Sequence, residues 1–132
     1  MVVRLLAVFC GGIVGTLLRV LVDVTIPHSS PGALSVSTVV VNTVGSFALG
    51  VLTSHLWMRP STPDWVRIGI GPGLLGSFTT FSAIALNVVA GVDESRPLDA
   101  VLAITLSVVL GLAAAWGGLR IGARLLLRSR GS

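Results

Sequence analysis

The residues with the clearest capacity for chemistry form one run, from Gly69 to Ser82, inside the third of four apolar segments. The run combines helix-weakening glycines and a proline with hydroxyl side chains. These residues are Gly69, Gly71, Pro72, Gly73, Gly76, Ser77, Thr79, Thr80 and Ser82. Non-helical backbone lies at membrane depth only where protein buries it or an aqueous path satisfies its polar groups. The run is therefore predicted to form an ion or substrate site; the alternatives are a proline kink, or a helix that begins near Leu74 after a re-entrant approach.

The length of the third segment also favours an interruption. An unbroken helix from Trp65 to Val92 would extend about 42 Å, at about 1.5 Å per residue. The hydrocarbon core of a bilayer is only about 30 Å thick. We therefore predict a third helix that is broken near mid-membrane.

The elements that position this run are predicted to be membrane helices. Hydrophobic residues make up 53% of the 132 residues and charged residues only 11%, a composition that places the chain in a bilayer. The prediction is a single four-helix membrane domain over residues 1–132, with helices at about 4–24, 35–57, 65–92 and 98–119. Nucleic-acid binding is disfavoured, because the arginines flank apolar spans and do not line a face with stacking aromatics.

The first helix carries small residues and one embedded charge. Gly12 and Gly15 are predicted to let another helix approach closely. Arg19 lies about 22 Å along the helix from Arg4, near its far end. Its side chain is predicted either to reach the membrane surface or to place a positive charge at the mouth of an anion path.

The second helix has a polar, small-residue face. One helical face collects Asn42, Gly45, Ser46 and Leu49, and Gly50 follows. Such a face either forms hydrogen bonds across helices, the commoner use of an intramembrane Asn, or lines a polar track.

The arginines divide unevenly between the two predicted sides. One side holds Arg4, Arg59, Arg67, Arg120, Arg124, Arg128 and Arg130. The opposite side holds Arg96 and a predicted turn from Thr25 to Leu34. This bias predicts a multi-pass protein of the cell membrane with both termini in the cytoplasm. Because a four-helix unit with a broken third helix encloses its own midplane poorly, a dimer is expected.

Taken together, these residues resemble the Fluc (CrcB) family of small four-helix fluoride channels. The resemblance covers most of the chain and rests on Gly12-Ile13-Val14-Gly15 with Arg19, on Asn42-x-x-Gly45-Ser46-Phe47-x-x-Gly50, and on Gly73-x-x-Gly76-x-x-Thr79-Thr80-Phe81-Ser82. It implies passive export of fluoride from the cytoplasm, which reduces fluoride toxicity. It also implies an antiparallel dimer with two pores at its interface, and a structural sodium ion held by backbone carbonyls at Gly76 and Thr79.

The residue types suit the implied pore. Its residues are Asn42, Thr80, Phe81, Ser82, Ile84 and Ser107, with Arg19 in the vestibule. Fluoride holds its water tightly, so a pore must replace that water with donors while staying too narrow for chloride. Amide N–H groups, hydroxyls and the positive edge of an aromatic ring can do so. None of these groups needs to ionise, and no nucleophile with a base is present, which argues against an enzyme.

Three positions depart from the family pattern. Where many members have Thr, a second Phe and a carboxylate, this chain has Ala83, Ile84 and Asn87. The dimer is expected to be either a homodimer or a heterodimer with an oppositely oriented paralogue. Together with the arginine bias, these departures suggest the heterodimer, in which one of the two pores is impaired.

Two other functions compete with a fluoride channel. A small multidrug-resistance-like exporter also has four short helices, but it needs a membrane-embedded carboxylate for proton coupling. Asp23 and Asp99 lie at predicted helix ends and do not supply one. A non-conducting structural subunit that needs an inverted paralogue is favoured by the three departures alone.

Overall fold

The computed structural model describes residues 1–26 and 35–130, with side chains as far as residue 128. Helix α1 is Val2–Thr25, and α2 is Val36–Val51 continued by wider π-type turns over Leu52–Leu56. Helix α3 joins Asp64–Ile68, a π-type segment Gly69–Leu75 and Gly76–Phe78. Helix α4 is Ser82–Asp93, and α5 is Pro97–Arg130. The predicted turn between α1 and α2 lies, from residue 27 onward, outside the described residues.

Four helical stretches of the described chain are long and apolar enough to cross a membrane. They are Val2–Thr25, Val36–Leu56, Asp64–Asp93 and Pro97–Arg128. Most of their apolar side chains face outward, as expected where lipid or another subunit covers them. The protein is thus an all-helical, multi-pass membrane protein in the part that the structure describes.

Helices α1 and α3 pack closely because α1 has glycines where they meet. A Cβ atom on Gly11 would lie 2.1 Å from the Gly69 carbonyl oxygen, and one on Gly15 would lie 2.1 Å from the Leu74 carbonyl oxygen. Gly12 is less constrained, since the nearest atom to its Cβ position is the Ser77 Oγ at 3.4 Å. An ion pair between Arg4 and Asp64 also joins the start of α1 to the start of α3.

Helices α2 and α5 form a second close contact, the glycine seam, made by Gly50, Gly118 and Gly122. A Cβ atom on Gly50 would lie 2.4 Å from the Ala115 carbonyl oxygen, and one on Gly118 would lie 2.3 Å from the Phe47 carbonyl oxygen. Helix α5 was expected to end at residue 119 but continues to Arg130. The continuation is stabilised because Gly122 packs against Val51 and Ser54 at the end of α2.

The helical conformation stops between α3 and α4. Pro72 cannot donate a backbone hydrogen bond, and it lies within the π-type segment, whose wider turns accommodate a proline. Thr79 then adopts an extended conformation, with φ −76° and ψ 155°, and helical geometry resumes at Ser82. The residues Thr79, Thr80 and Phe81 form the α3–α4 gap.

Candidate ion pathway

The α3–α4 gap is held open by the carboxamide of Asn42 on α2. Asn42 Nδ2 donates to the Thr80 carbonyl oxygen at 2.8 Å, and the Thr80 backbone N–H donates to Asn42 Oδ1 at 2.8 Å. One side chain therefore satisfies both backbone polar groups of a residue that is in no helix. Because a buried unpaired backbone group is costly, this pairing allows extended backbone at this place.

Several backbone carbonyls lose their helical donors at the gap, and those of Gly76 and Thr79 are among them. The helical partner of the Gly76 carbonyl would be the Thr80 N–H, which donates to Asn42 instead. The partner of the Thr79 carbonyl would be the Ala83 N–H, which donates to Thr80 Oγ1 at 3.3 Å. The Thr79 hydroxyl does not act as a replacement donor for these carbonyls, since it donates to the Leu75 carbonyl at 2.8 Å. The gap thus frees carbonyl oxygens at the two positions predicted to hold sodium.

An open groove of about 530 Å³, here called the gap groove, runs past this point. Its wall includes, from the predicted set, Asn42, Gly45, Gly76, Thr79, Thr80, Phe81, Ile84 and Ser107. Ser46 and Leu49 also line it, so the polar face predicted on α2 faces this groove. Gly45 leaves room for the gap, because a Cβ there would lie 2.2 Å from Thr79 Cγ2.

The side chains along the gap groove differ sharply in burial. Ile84 and Ser107 are buried, and the Ser107 hydroxyl has no hydrogen-bond partner among the described residues. Phe81 is 80% exposed, although it is aromatic and lies beside polar groups. The gap groove is thus lined both by an exposed aromatic ring and by a buried hydroxyl without a partner among the described residues.

A second cleft of about 280 Å³ contains the predicted vestibule residue. Arg19 lines it together with Ser82 and Thr80, and Thr80 also lines the gap groove. The Thr80 and Ser82 hydroxyls lie 3.1 Å apart. The two clefts therefore meet at Thr80, with the guanidinium on one side and the Asn42 amide on the other.

The structure brings most of the predicted site residues together but separates a few. Ser82 lies in the cleft of Arg19 and does not line the gap groove. Asn87, at a departing position, lines neither cleft. Among the described residues, no group of three His, Cys, Asp or Glu side chains could hold a metal ion.

Sequence reasoning missed one polar contact near the vestibule. The Ser37 hydroxyl donates to Asp23 Oδ1 at 2.6 Å and joins α1 to the first turn of α2. The cluster Ser35-Val36-Ser37-Thr38 does indicate the start of a helix, because Ser is a preferred N-cap. Ser35 Oγ accepts from the Thr38 N–H. No sequence pattern indicates that the Ser37 hydroxyl bonds to Asp23 on another helix.

The chain is similar to known proteins over most of its length. Residues 6–119 match the family described as CrcB-like protein, Camphor Resistance (CrcB). A fluoride-specific ion channel FluC of Pseudomonas fluorescens (strain Pf-5) is 38% identical over 121 residues, covering 92% of this chain and 98% of the relative. A fluoride-specific ion channel FluC 2 of Geobacillus kaustophilus is 33% identical over 113 residues, covering 86% and 88%. With matches of this extent, the chain belongs to the CrcB-like family.

Proposed function

We propose that this protein is a subunit of a fluoride channel that lets fluoride leave the cytoplasm down its own gradient and so limits fluoride toxicity. The relatives named above are fluoride-specific ion channels. The observation that carries the proposal for this chain is the Asn42–Thr80 pairing, which holds donor groups in an open groove between membrane helices.

The donors along this path suit a small, strongly hydrated anion. One N–H of the Asn42 amide is used by Thr80, and a carboxamide has a second that can bind fluoride. The hydroxyls of Thr80, Ser82 and Ser107 and the ring edge of Phe81 supply further positive groups. Conduction needs no group to change protonation state, so we propose a channel without enzymatic activity.

The working channel is proposed to be an antiparallel dimer. The gap groove is open on one side, and Phe81 and Gly76 are exposed there. An inverted second chain would close the groove and bring a second gap against the first. We propose that both termini are cytoplasmic, because seven arginines favour that side. The Arg4–Asp64 ion pair supports one common side for the N-terminus and the α2–α3 connection.

A structural sodium ion is proposed at the gap. The carbonyls of Gly76 and Thr79 have given up their helical donors to side chains, and unwound carbonyls at a helix C-terminus suit sodium. Gly76 lacks a side chain that would cover its carbonyl. The ion would neutralise these dipoles and tie two chains together. Sodium chloride, compared with N-methylglucamine chloride at equal ionic strength, should raise the melting temperature of the purified dimer; equal melting temperatures would contradict sodium binding.

A liposome efflux assay with a fluoride electrode tests the function. The purified chain should release fluoride from loaded vesicles when the fluoride gradient is the only driving force, and vesicles loaded with chloride should keep their content. Phe81→Ile keeps the bulk but removes the ring, and it should reduce fluoride efflux about tenfold or more if the ring edge binds the anion. Wild-type efflux from Phe81→Ile would show that the ring only packs.

A second candidate is a subunit that conducts only beside an inverted paralogue. The seven arginines on one proposed side favour one orientation, and Ile84 replaces a ring in the groove wall. In this case the chain alone would give no efflux, whereas co-reconstitution with a related chain of opposite arginine bias would restore it. Full efflux from the chain alone would rule out this second candidate.

A further inference from the structure

Helix α5 carries a row of arginines beyond the part of the chain that matches the family. The match ends at residue 119, whereas α5 continues to Arg130. Arg120, Arg124 and Arg128 follow one another at four-residue spacing and are exposed, so they lie on one face of the helix. Like charges at this spacing destabilise a helix, and the sequence has no acidic residue after Asp99 to offset them. An anion bound from outside the chain would therefore reduce the repulsion along this face.

The contacts of α5 place these arginines at the membrane surface. Gly122 packs against Ser54, two residues before the end of the membrane-spanning α2. Along the axis of α5, Arg124 lies about 3 Å beyond Gly122, and Arg128 about 9 Å beyond it. The headgroup layer on one side of a bilayer is about 5–8 Å thick. Both guanidinium groups can therefore reach headgroup phosphates.

The position of the Trp116 ring on α5 also indicates that these arginines lie at the membrane surface. The Arg120 guanidinium carbon lies 3.9 Å from the centroid of the Trp116 ring, and Trp116 is more than half exposed. Exposed tryptophans at helix ends are typical of the membrane–water interface. The turn that follows Trp116 thus begins at the interface.

Arg124 and Arg128 border a shallow groove of about 480 Å³, here called the tail groove. Its other lining residues are Ile121, Leu125 and Leu127. Guanidinium groups bind phosphate oxygens in pairs, and exposed aliphatic side chains bind acyl chains. Nucleic acid or an acidic peptide would satisfy the charges but would leave the aliphatic half in water.

We infer that the tail groove binds an anionic phospholipid, with its phosphate on Arg124 and Arg128 and its acyl chain along the three aliphatic residues. The lipid belongs to the leaflet on the side of the C-terminus. This site is separate from the gap groove and does not depend on which ion is conducted.

Native mass spectrometry of the purified full-length protein tests the inference. The protein in detergent is titrated with phosphatidylglycerol or with phosphatidylcholine, and bound lipids are counted. Each arginine near an anionic surface contributes roughly fivefold in affinity, so Arg124→Gln with Arg128→Gln should weaken phosphatidylglycerol binding about thirtyfold. Phosphatidylcholine binding should be weak and unchanged. Arg124→Lys with Arg128→Lys keeps both charges and should bind at an intermediate level.

The matched control removes two charges elsewhere. Arg4→Gln with Arg59→Gln lowers the net charge equally but leaves the tail groove intact, so its phosphatidylglycerol affinity should match that of the wild type. An equal loss in this control, or unchanged binding by the tail glutamine variant, would overturn the inference. So would full displacement of the lipid by millimolar inorganic phosphate, or a glutamine variant that loses only its dimer, which would indicate a second copy on this surface. The readout is lipid binding, so its failure is distinct from failure of fluoride efflux.

Discussion

Helix α2 takes part in two contacts with opposite effects on regular structure, the glycine seam and the gap groove. At the glycine seam, Gly50 lies within the α-helix Val36–Val51 and brings α2 against the backbone of α5. At the gap groove, Asn42 takes over hydrogen bonds that α3 and α4 would otherwise make. The seam therefore holds the helices together, whereas the gap groove gives up regular structure to expose polar groups.

The gap groove contains a group that is expected to lower the stability of the fold. The Ser107 hydroxyl is buried and has no hydrogen-bond partner among the described residues, and Phe81 is exposed. A buried hydroxyl without a hydrogen-bond partner lowers the stability of the fold. We expect stability to depend on the seam, which packs α2 closely against α5. Substitutions should therefore separate unfolding from flux.

The largest effect on stability is expected at the seam. Gly118→Ala puts a Cβ 2.3 Å from the Phe47 carbonyl oxygen, so α2 and α5 must separate, and the free energy of unfolding should fall by about 2–3 kcal/mol. Gly117 is the matched control, because nothing lies within 4 Å of its Cβ position. Gly117→Ala should gain about 0.5–1 kcal/mol from helix propensity. Chemical unfolding in detergent measures both, and equal effects at the two positions would refute the seam as a support.

Removing the Asn42 side chain should affect both properties. Asn42→Ala leaves the Thr80 N–H and carbonyl without their partner, which should cost about 2 kcal/mol or more of unfolding free energy. Fluoride efflux should fall by about tenfold or more, because the gap closes or rearranges and one donor is lost. Asn87→Ala, on α4 and outside both clefts, should change neither. Normal efflux from Asn42→Ala would remove Asn42 from the pathway.

Substitution of Ser107 should separate an effect on stability from an effect on efflux. Ser107→Ala removes a buried hydroxyl that has no partner among the described residues, so unfolding free energy should stay the same or rise by about 1 kcal/mol. Efflux should nevertheless fall about threefold or more if the hydroxyl replaces water around fluoride. Thr105→Ala removes an exposed hydroxyl from the same helix and serves as the control. A stability loss in Ser107→Ala without a change in efflux would assign Ser107 to packing.

Features that depend on residues close together in the chain could be predicted from the sequence. Four spans could be predicted because apolar length is a local property, and the face of Asn42 and Ser46 could be predicted from helical spacing. The end of α5 could not, because its continuation depends on Gly122 meeting α2. The family resemblance supplied the pore positions, and their individual roles in this chain stay predictions.

Contacts between distant residues were beyond prediction from spacing. Asn42 was expected either to bond across helices or to line a polar track, and its partner, the Thr80 backbone, is 38 positions away. Ser82 was expected in the pore with the other hydroxyls; its hydroxyl lies 3.1 Å from that of Thr80, and it lines the cleft of Arg19. The backbone conformation of the gap decides which cleft such a residue lines, and no sequence pattern reports that conformation.

The smallest effect is expected at Arg19, which lines the cleft next to the gap groove. Arg19 is half-buried, and it shares its cleft with Thr80 and Ser82 but does not line the gap groove. Its charge should concentrate anions near the entrance, so Arg19→Gln should reduce fluoride efflux about twofold to fivefold at low ionic strength. At about 1 M salt the screening length falls to about 3 Å, and the difference should vanish. Arg4→Gln, at the other end of α1, should show no such dependence, and a salt-independent loss in Arg19→Gln would mean that the guanidinium contacts the conducted ion directly.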